Sequence, residues 1–163
     1  MKHYIGTKLL EAEPMSLGDY NLYRGWTIPE SENPATEGYL VKYPDGYVSW
    51  SPKHVFEKAY LPMDVNEHLR TDKPSIGQKM VDDFIVAAEV QTMGEKCTVV
   101  RAVLRNGFEI VESSACVSKE NYDEKLGAGI CMKKIKDKVW FLLGFLLQTA
   151  VNGVDGCGGP SEK

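Results

Sequence analysis

The run Tyr39-Leu40-Val41-Lys42-Tyr43-Pro44-Asp45-Gly46-Tyr47-Val48-Ser49-Trp50-Ser51-Pro52 leaves the chain little choice of local structure. Pro44-Asp45-Gly46 is a turn signal, since Pro presets one backbone angle and Asp and Gly tolerate positive φ. The runs on either side are rich in aromatic and β-branched residues, the pattern of a β-hairpin. In the second strand Tyr47, Ser49 and Ser51 alternate with Val48 and Trp50, so one face packs and the other presents rings and hydroxyls. Ser51-Pro52 has the form of a helix start, with Ser51 as N-cap and Pro52 at the first helical position. A ring-lined hairpin that ends at a helix N-terminus suits a planar base and a phosphate.

The halves of the 163-residue chain differ in character. Residues 1–62 hold 10 of the 16 aromatic residues and six of the eight prolines. Ile5 to Leu10 reads as a strand. Ser16 to Tyr23 reads as a short helix, with Ser16 as N-cap and Asp19 three residues on as an approximate capping box. Thr27 to Glu37 is a polar loop, and Lys53 to Tyr60 a second short helix after the hairpin. The polar stretch 63–75 reads as a linker between two domains.

In residues 76–152 the expected order is helix, strand, strand, helix. Ile76 to Val90 reads as a helix with Met80, Val81, Phe84, Ile85 and Ala88 on one side. Cys97 to Leu104 reads as a strand, Asn106-Gly107 as a two-residue turn, and Phe108 to Val111 as the partner strand continuing toward Val117. Ser118 is placed to cap a long helix from Lys119 to Ala150. Its candidate core positions are Leu126, Ile130, Val139, Leu142, Leu143, Leu146 and Ala150. Gly127, Gly129 and Gly144 mark close packing or a break. The tail 153–163 is rich in glycine and reads as disordered. The fold class is therefore α+β: a small hairpin and short-helix unit, then a helix–strand–strand–helix unit.

Composition narrows the function more by exclusion. A formal net charge of −4 argues against a binder of DNA or RNA polymers, which needs a basic surface. It leaves room for a small anion, which two or three local cations and backbone N–H groups can hold. No signal peptide is visible, and the longest apolar stretch, Val139 to Leu147, is far too short for a membrane span. The cysteines at 97, 116, 131 and 157 form no CxxC and have no His at metal spacing, so they read as reduced thiols. No nucleophile motif, P-loop or zinc-deaminase signature is present, so no cofactor, metal or catalytic residue is expected. Leu126-Gly127-Ala128-Gly129 offers only G-x-G inside a helical pattern. Asp82 and Asp83 read as a solvated face. Lys133, Lys134, Lys136 and Lys138 read either as a solvated face or as an anion contact. Trp26 and Trp50 stand equally as core or as ligand-stacking rings, and Tyr39, Tyr43 and Tyr47 line a sheet face.

Residues 16–60 resemble the second-type Thoeris anti-defence family of phages. The resemblance rests on Arg24-Gly25-Trp26, Gly38-Tyr39-Leu40-Val41, Pro44-Asp45-Gly46 and Trp50-Ser51-Pro52, with Glu57-Lys58-Ala59-Tyr60 as a looser match. It implies a non-catalytic sponge, a homo-oligomer that binds cyclic ADP-ribose-type or cyclic oligonucleotide immune signals. By that carry-over Arg24, Trp26, Tyr39, Tyr47, Trp50 and Ser51 are candidate ligand contacts, with Lys53 added as a phosphate partner. A longer, proline-containing loop before the hairpin departs from the pattern. Residues 71–150 resemble a separate family of small tailed-phage proteins without an agreed activity. Here the matching residues are Thr71-Asp72-Lys73-Pro74, Asn106-Gly107-Phe108, Glu112 to Ser118, Glu120-Asn121-Tyr122-Asp123, Lys138-Val139-Trp140 and Gly144-Phe145-Leu146-Leu147.

The sequence thus leads to a phage counter-defence protein, not an enzyme, that sequesters a cyclic nucleotide signal in the cytoplasm of the infected host and inhibits Thoeris- or CBASS-type immunity. A dimer or tetramer is expected. The alternative is a phage structural or regulatory interaction module that self-associates through its aromatic half.

Overall fold

In the computed structural model residues 1–63, 66, 68–70 and 73–155 are described, so parts of the expected linker, the tail beyond residue 155 and Cys157 lie outside the described residues. The chain is α+β and divides into two compact units, Met1–Pro62 with Thr149–Lys163, and Met63–Gln148.

The first unit contains β1 (Glu11–Pro14), α1 (Leu17–Arg24), β2 (Gly38–Lys42), β3 (Val48–Pro52) and α2 (Lys53–Ala59). The three strands form one antiparallel sheet in the order β1-β2-β3. The first strand starts at Glu11, later than the expected Ile5 to Leu10. The residues that pair with Tyr39–Lys42 are Glu11–Pro14. An edge strand needs no apolar side chains and tolerates a proline. The expected cap of α1 is present: Ser16 Oγ accepts the Asp19 N–H at 3.1 Å. The hairpin turn closes with Gly46 at φ 85°, while Asp45 keeps a negative φ and uses its carboxylate to accept the Tyr47 N–H at 2.9 Å.

Ser51 does not cap α2. It stays in the ladder opposite Tyr39, and Pro52 sits opposite Gly38 as the N-cap residue, with no side-chain bond. Lys53 N–H donates to Glu37 O at 3.1 Å, which carries the strand pairing to the helix border and leaves Ser51 no free turn to cap.

The second unit contains α3 (Gln78–Phe84), β4 (Ile85–Met93), β5 (Cys97–Leu104), β6 (Glu109–Ala115) and α4 (Glu124–Asn152), of which the residues to Gln148 belong here. Its sheet is antiparallel in the order β4-β5-β6. The expected helix Ile76 to Val90 is overturned: it ends at Phe84 and becomes a third strand. A short apolar run fits either period, and Ile85–Met93 gains a ladder along β5, with a bulge between Ile85 and Ala87, that a helix would forgo. The Asn106-Gly107 turn forms as expected, with Gly107 at φ 84° and Asn106 Oδ1 accepting the Phe108 N–H at 3.1 Å.

The long helix also starts later than expected. Lys119–Asn121 is a single 3₁₀ turn in which Ser118 makes no side-chain cap bond. Asp123 Oδ1 accepts the Leu126 N–H at 3.0 Å, so Asp123 serves the first turn of α4. Just before it, the Tyr122 hydroxyl lies 2.7 Å from Thr92 Oγ1 and 3.0 Å from Thr98 Oγ1, which fixes the entry of the helix against β4 and β5.

Thr98, Val100, Ala102 and Leu104 form the buried row of β5, and Gly127, Cys131, Ile135, Val139 and Leu143 the buried row of α4. The strand row repeats every two residues, about 6.7 Å, and the helix row every four, about 6.0 Å, so the two run in near step. Of the expected core positions Val139 and Leu143 are buried, whereas Leu126, Ile130, Leu142 and Leu146 are exposed and Ala150 is intermediate. Gly127 sets the contact: a Cβ there would lie 2.8 Å from Thr98 Cβ and overlap its hydroxyl. Gly129 and Gly144 have no such neighbour.

Because the stiff, β-branched side chain of Thr98 closes that space, Gly127→Val should lower stability by about 1–3 kcal/mol through overpacking, and Gly129→Ala should raise it by a few tenths to about 1 kcal/mol through helix propensity. Urea unfolding of the two variants measures both signs.

Candidate functional site

The β2–β3 hairpin has two faces. Tyr39, Val41, Ser49 and Ser51 share one, and Gly38, Leu40, Val48 and Trp50 the other. On the first face the rings consume one another. Tyr39 stacks on Phe56 at 4.3 Å, Phe56 on Tyr60 at 4.8 Å, and Tyr43 lies 5.8 Å from Tyr47. Burial raises the Tyr60 hydroxyl pKa, with a further push from the charge and hydrogen bond of Tyr43, which links the two ring groups. Lys8 Nζ stands 5.6 Å from the Tyr43 ring.

The polar groups at the other end of this row are also engaged. Lys53 Nζ donates to Glu37 Oε2 at 2.9 Å. That bond and the opposite charge raise the Lys53 pKa and lower that of Glu37. The Tyr39 hydroxyl donates to Glu57 Oε1 at 2.9 Å, which raises its pKa. Two carboxylates therefore flank the one cation, a poor setting for a phosphate.

Trp50 lies on the opposite face. Its ring fills the space where Gly38 has no side chain, and its Nε1–H donates to Met15 O at 2.9 Å. Arg24 and Trp26 form a third place, at the end of α1. The Arg24 guanidinium sits 4.8 Å over the Trp26 ring, and Tyr20 meets that ring edge-on at 5.9 Å. Trp26 is 52% exposed and Tyr47 63% exposed. The seven candidate residues thus fall into three groups: Tyr39, Tyr47, Ser51 and Lys53 about one hairpin face, Trp50 on the other, and Arg24 with Trp26 at the C-terminal end of α1. No ring or hydrogen-bond contact joins these groups among the described residues.

The second unit presents a different surface. A groove of about 380 Å³ is lined by Phe108, Glu109, Ile110, Val111, Lys138, Phe141 and Leu142. It runs between β6 and α4, where Phe108, Val111 and Phe141 are each more than half exposed. Of the positions expected in the core, Leu126, Ile130, Leu142 and Leu146 lie exposed on α4 instead. The signal that separates the faces is Gly127, the one glycine in the helix that lies against another element.

The basic cluster on α4 is largely spent inside the unit. Lys134 Nζ donates to Ser113 O at 2.8 Å, Lys136 pairs with Asp82 at 2.8 Å, and Lys138 pairs with Glu112. Asp82 is therefore more than solvated surface. The hydrogen bond from Lys136 lowers its pKa, and that from Lys138 lowers the pKa of Glu112. Cys97, Cys116 and Cys131 are free thiols, and burial pushes the Cys131 thiol pKa up, away from reactivity. Among the described residues no cluster of three His, Cys, Asp or Glu side chains could hold a metal ion, and no helix is long and apolar enough to cross a membrane.

Residues 76–151 match the model of the phage protein (N4 Gp49/phage Sf6 gene 66) family. That match supports the resemblance of the C-terminal half to phage proteins; no finding supports the resemblance of residues 16–60 to the Thoeris anti-defence family. No curated protein and no solved structure matches the chain.

Two outcomes follow from these placements. Trp50→Ala loses packing and the bond to Met15, so it should cost about 2–3 kcal/mol, against less than about 1 kcal/mol for the half-exposed Trp26→Ala; chemical denaturation compares them. Asp82 and Glu112 have depressed folded-state pKa values, so their pairs stabilise the fold above the unfolded carboxylate pKa. That contribution is lost as pH falls through the folded values. Lys136→Met and Lys138→Met should each flatten the fall in melting temperature across the acidic range.

Proposed function

We propose that this chain is a non-catalytic phage interaction module that works through surface contact. The observation that carries the reading is the apolar surface of the second unit. Phe108, Val111, Phe141 and Leu142 surround one groove, and Leu126 and Ile130 continue the apolar exposure along α4. A soluble domain that leaves rings and leucines together on one side does so at an energetic cost, and such a patch marks a contact surface. The groups around it suit contact better than chemistry. Glu109 is bound to Arg101, Lys138 to Glu112, and neither is poised beside a nucleophile.

A second reading, sequestration of a cyclic nucleotide by the first unit, draws on the exposed rings of Trp26 and Tyr47. An exposed ring can take a base at about 1–3 kcal/mol per stack. Against it stand the pairing of Lys53 with Glu37, and Arg24 already seated on the Trp26 ring.

One experiment separates the readings. The purified chain is mixed with cyclic ADP-ribose isomers and cyclic di- and trinucleotides, followed by thermal shift and by chromatography of the nucleotide. The interaction module predicts no shift and no turnover. A shift with nucleotide recovered intact, abolished in Trp26→Ala or Tyr47→Ala, would establish sequestration in its place. New nucleotide products would overturn both.

A further inference from the structure

We propose that α4 is the interface between two copies of this chain, packed antiparallel about a two-fold axis. The proposal rests on the reading of the second unit as a contact surface, and it names the partner as a second copy.

The sheet uses one side of α4. Gly127, Cys131, Ile135, Val139 and Leu143 are turned to the sheet. The opposite side carries Leu126, Ile130, Lys133, Asp137 and Phe141, all exposed, with Leu126 at 64% and Phe141 at 74%. These positions recur every three or four residues and so share one side of the helix. Apolar residues lie at both ends of this side and one cation and one anion at its middle.

The charges at the middle point to the occupant. Lys134, Lys136 and Lys138 are each bound within the unit. Lys133 and Asp137 are different: among the described residues neither has an ion-pair or hydrogen-bond partner for its side chain. A lone cation and a lone anion on an otherwise apolar helix face are complementary to the same face turned end for end. A two-fold contact demands that if residue i meets residue j, then j meets i. An antiparallel pairing centred beside Ile135 meets this condition throughout. It sets Lys133 of one copy against Asp137 of the other, Ile130 against Phe141, and Leu126 against Gly144. Both ion pairs then lie between apolar layers over about 28 Å of helix. A parallel pairing would instead set Lys133 beside Lys133 and Asp137 beside Asp137, which like charges oppose. The same geometry brings Ile130 of the second copy to Phe141 at the edge of the β6–α4 groove.

Sedimentation velocity of the full chain, repeated over a range of concentrations, tests the proposal. The expected species has twice the 18.2 kDa of the chain. Lys133→Asp and Asp137→Lys each create two like-charge contacts per dimer and should raise the dimer dissociation constant about tenfold or more. The double variant carrying both changes restores two opposite-charge pairs and should recover the dimer. Recovery cannot come from a general loss of folding, and circular dichroism of each single variant checks that the monomer stays folded. A wild-type monomer at tens of micromolar would overturn the proposal. So would a dimer that the single changes leave intact, and one lost in Tyr47→Ala would place self-association in the aromatic unit. None of these outcomes produces the nucleotide shift that would remove the interaction-module reading, so the two fail separately.

Discussion

The second unit depends on one missing methyl group. With hydrogen at the Gly127 Cα, α4 can descend onto Thr98 until the helix backbone meets a β-branched side chain. The depth of that contact decides the rest of the helix. It directs Cys131, Ile135, Val139 and Leu143 at the sheet, and it brings Lys134 and Lys138 alongside β6, where a carbonyl and a carboxylate receive them. It also leaves Tyr122 close enough to bridge two threonines of neighbouring strands. A larger residue at 127 would lift the start of the helix and disturb all of these contacts together.

Gly38 plays the matching part in the first unit. There the space left by a side chain is taken by the Trp50 indole, which reaches the Met15 carbonyl and holds the start of α1 against the sheet. In both units a glycine leaves room for one side chain: Trp50 lies across Gly38 within the sheet, and Thr98 meets Gly127 between sheet and helix. The aromatic wealth of the first unit is absorbed by the same need for packing. Tyr39, Phe56 and Tyr60 form a stacked series that serves a unit with few aliphatic residues.

What could be read from the sequence was local. The Ser16 cap, the turns at Gly46 and Gly107 and the strand Cys97–Leu104 are fixed by neighbours in the chain, so short-range chemistry places them. What could not be read needed a partner distant in sequence. Ile85–Met93 is helical by pattern and becomes a strand because β5 offers it a ladder. Lys119 is helical by pattern, yet α4 waits for Asp123. The apolar residues of α4 lie nearly all round, so periodicity alone cannot choose between the side of Leu126 and the side of Cys131. The candidate ligand residues suffer the same limit. Tyr39 and Trp50 are close in sequence and part across a sheet, and a charge such as Lys53 is attractive for an anion only until its carboxylate neighbour is known.

The buried row of α4 has a geometric consequence. Residues four apart on a helix do not lie on a line parallel to its axis; each step winds about 40° around it. Between Gly127 and Leu143 the contact with the rest of the unit therefore travels about 160° around the helix. A flat surface could follow such a row for a step or two and would then lose it. The surface that receives α4 therefore turns with the row, through the sheet and onto α3. The spacing of five residues in one helix thus spreads its contacts over three elements, with Thr98 of β5 at Gly127, Ser113 of β6 at Lys134 and Asp82 of α3 at Lys136.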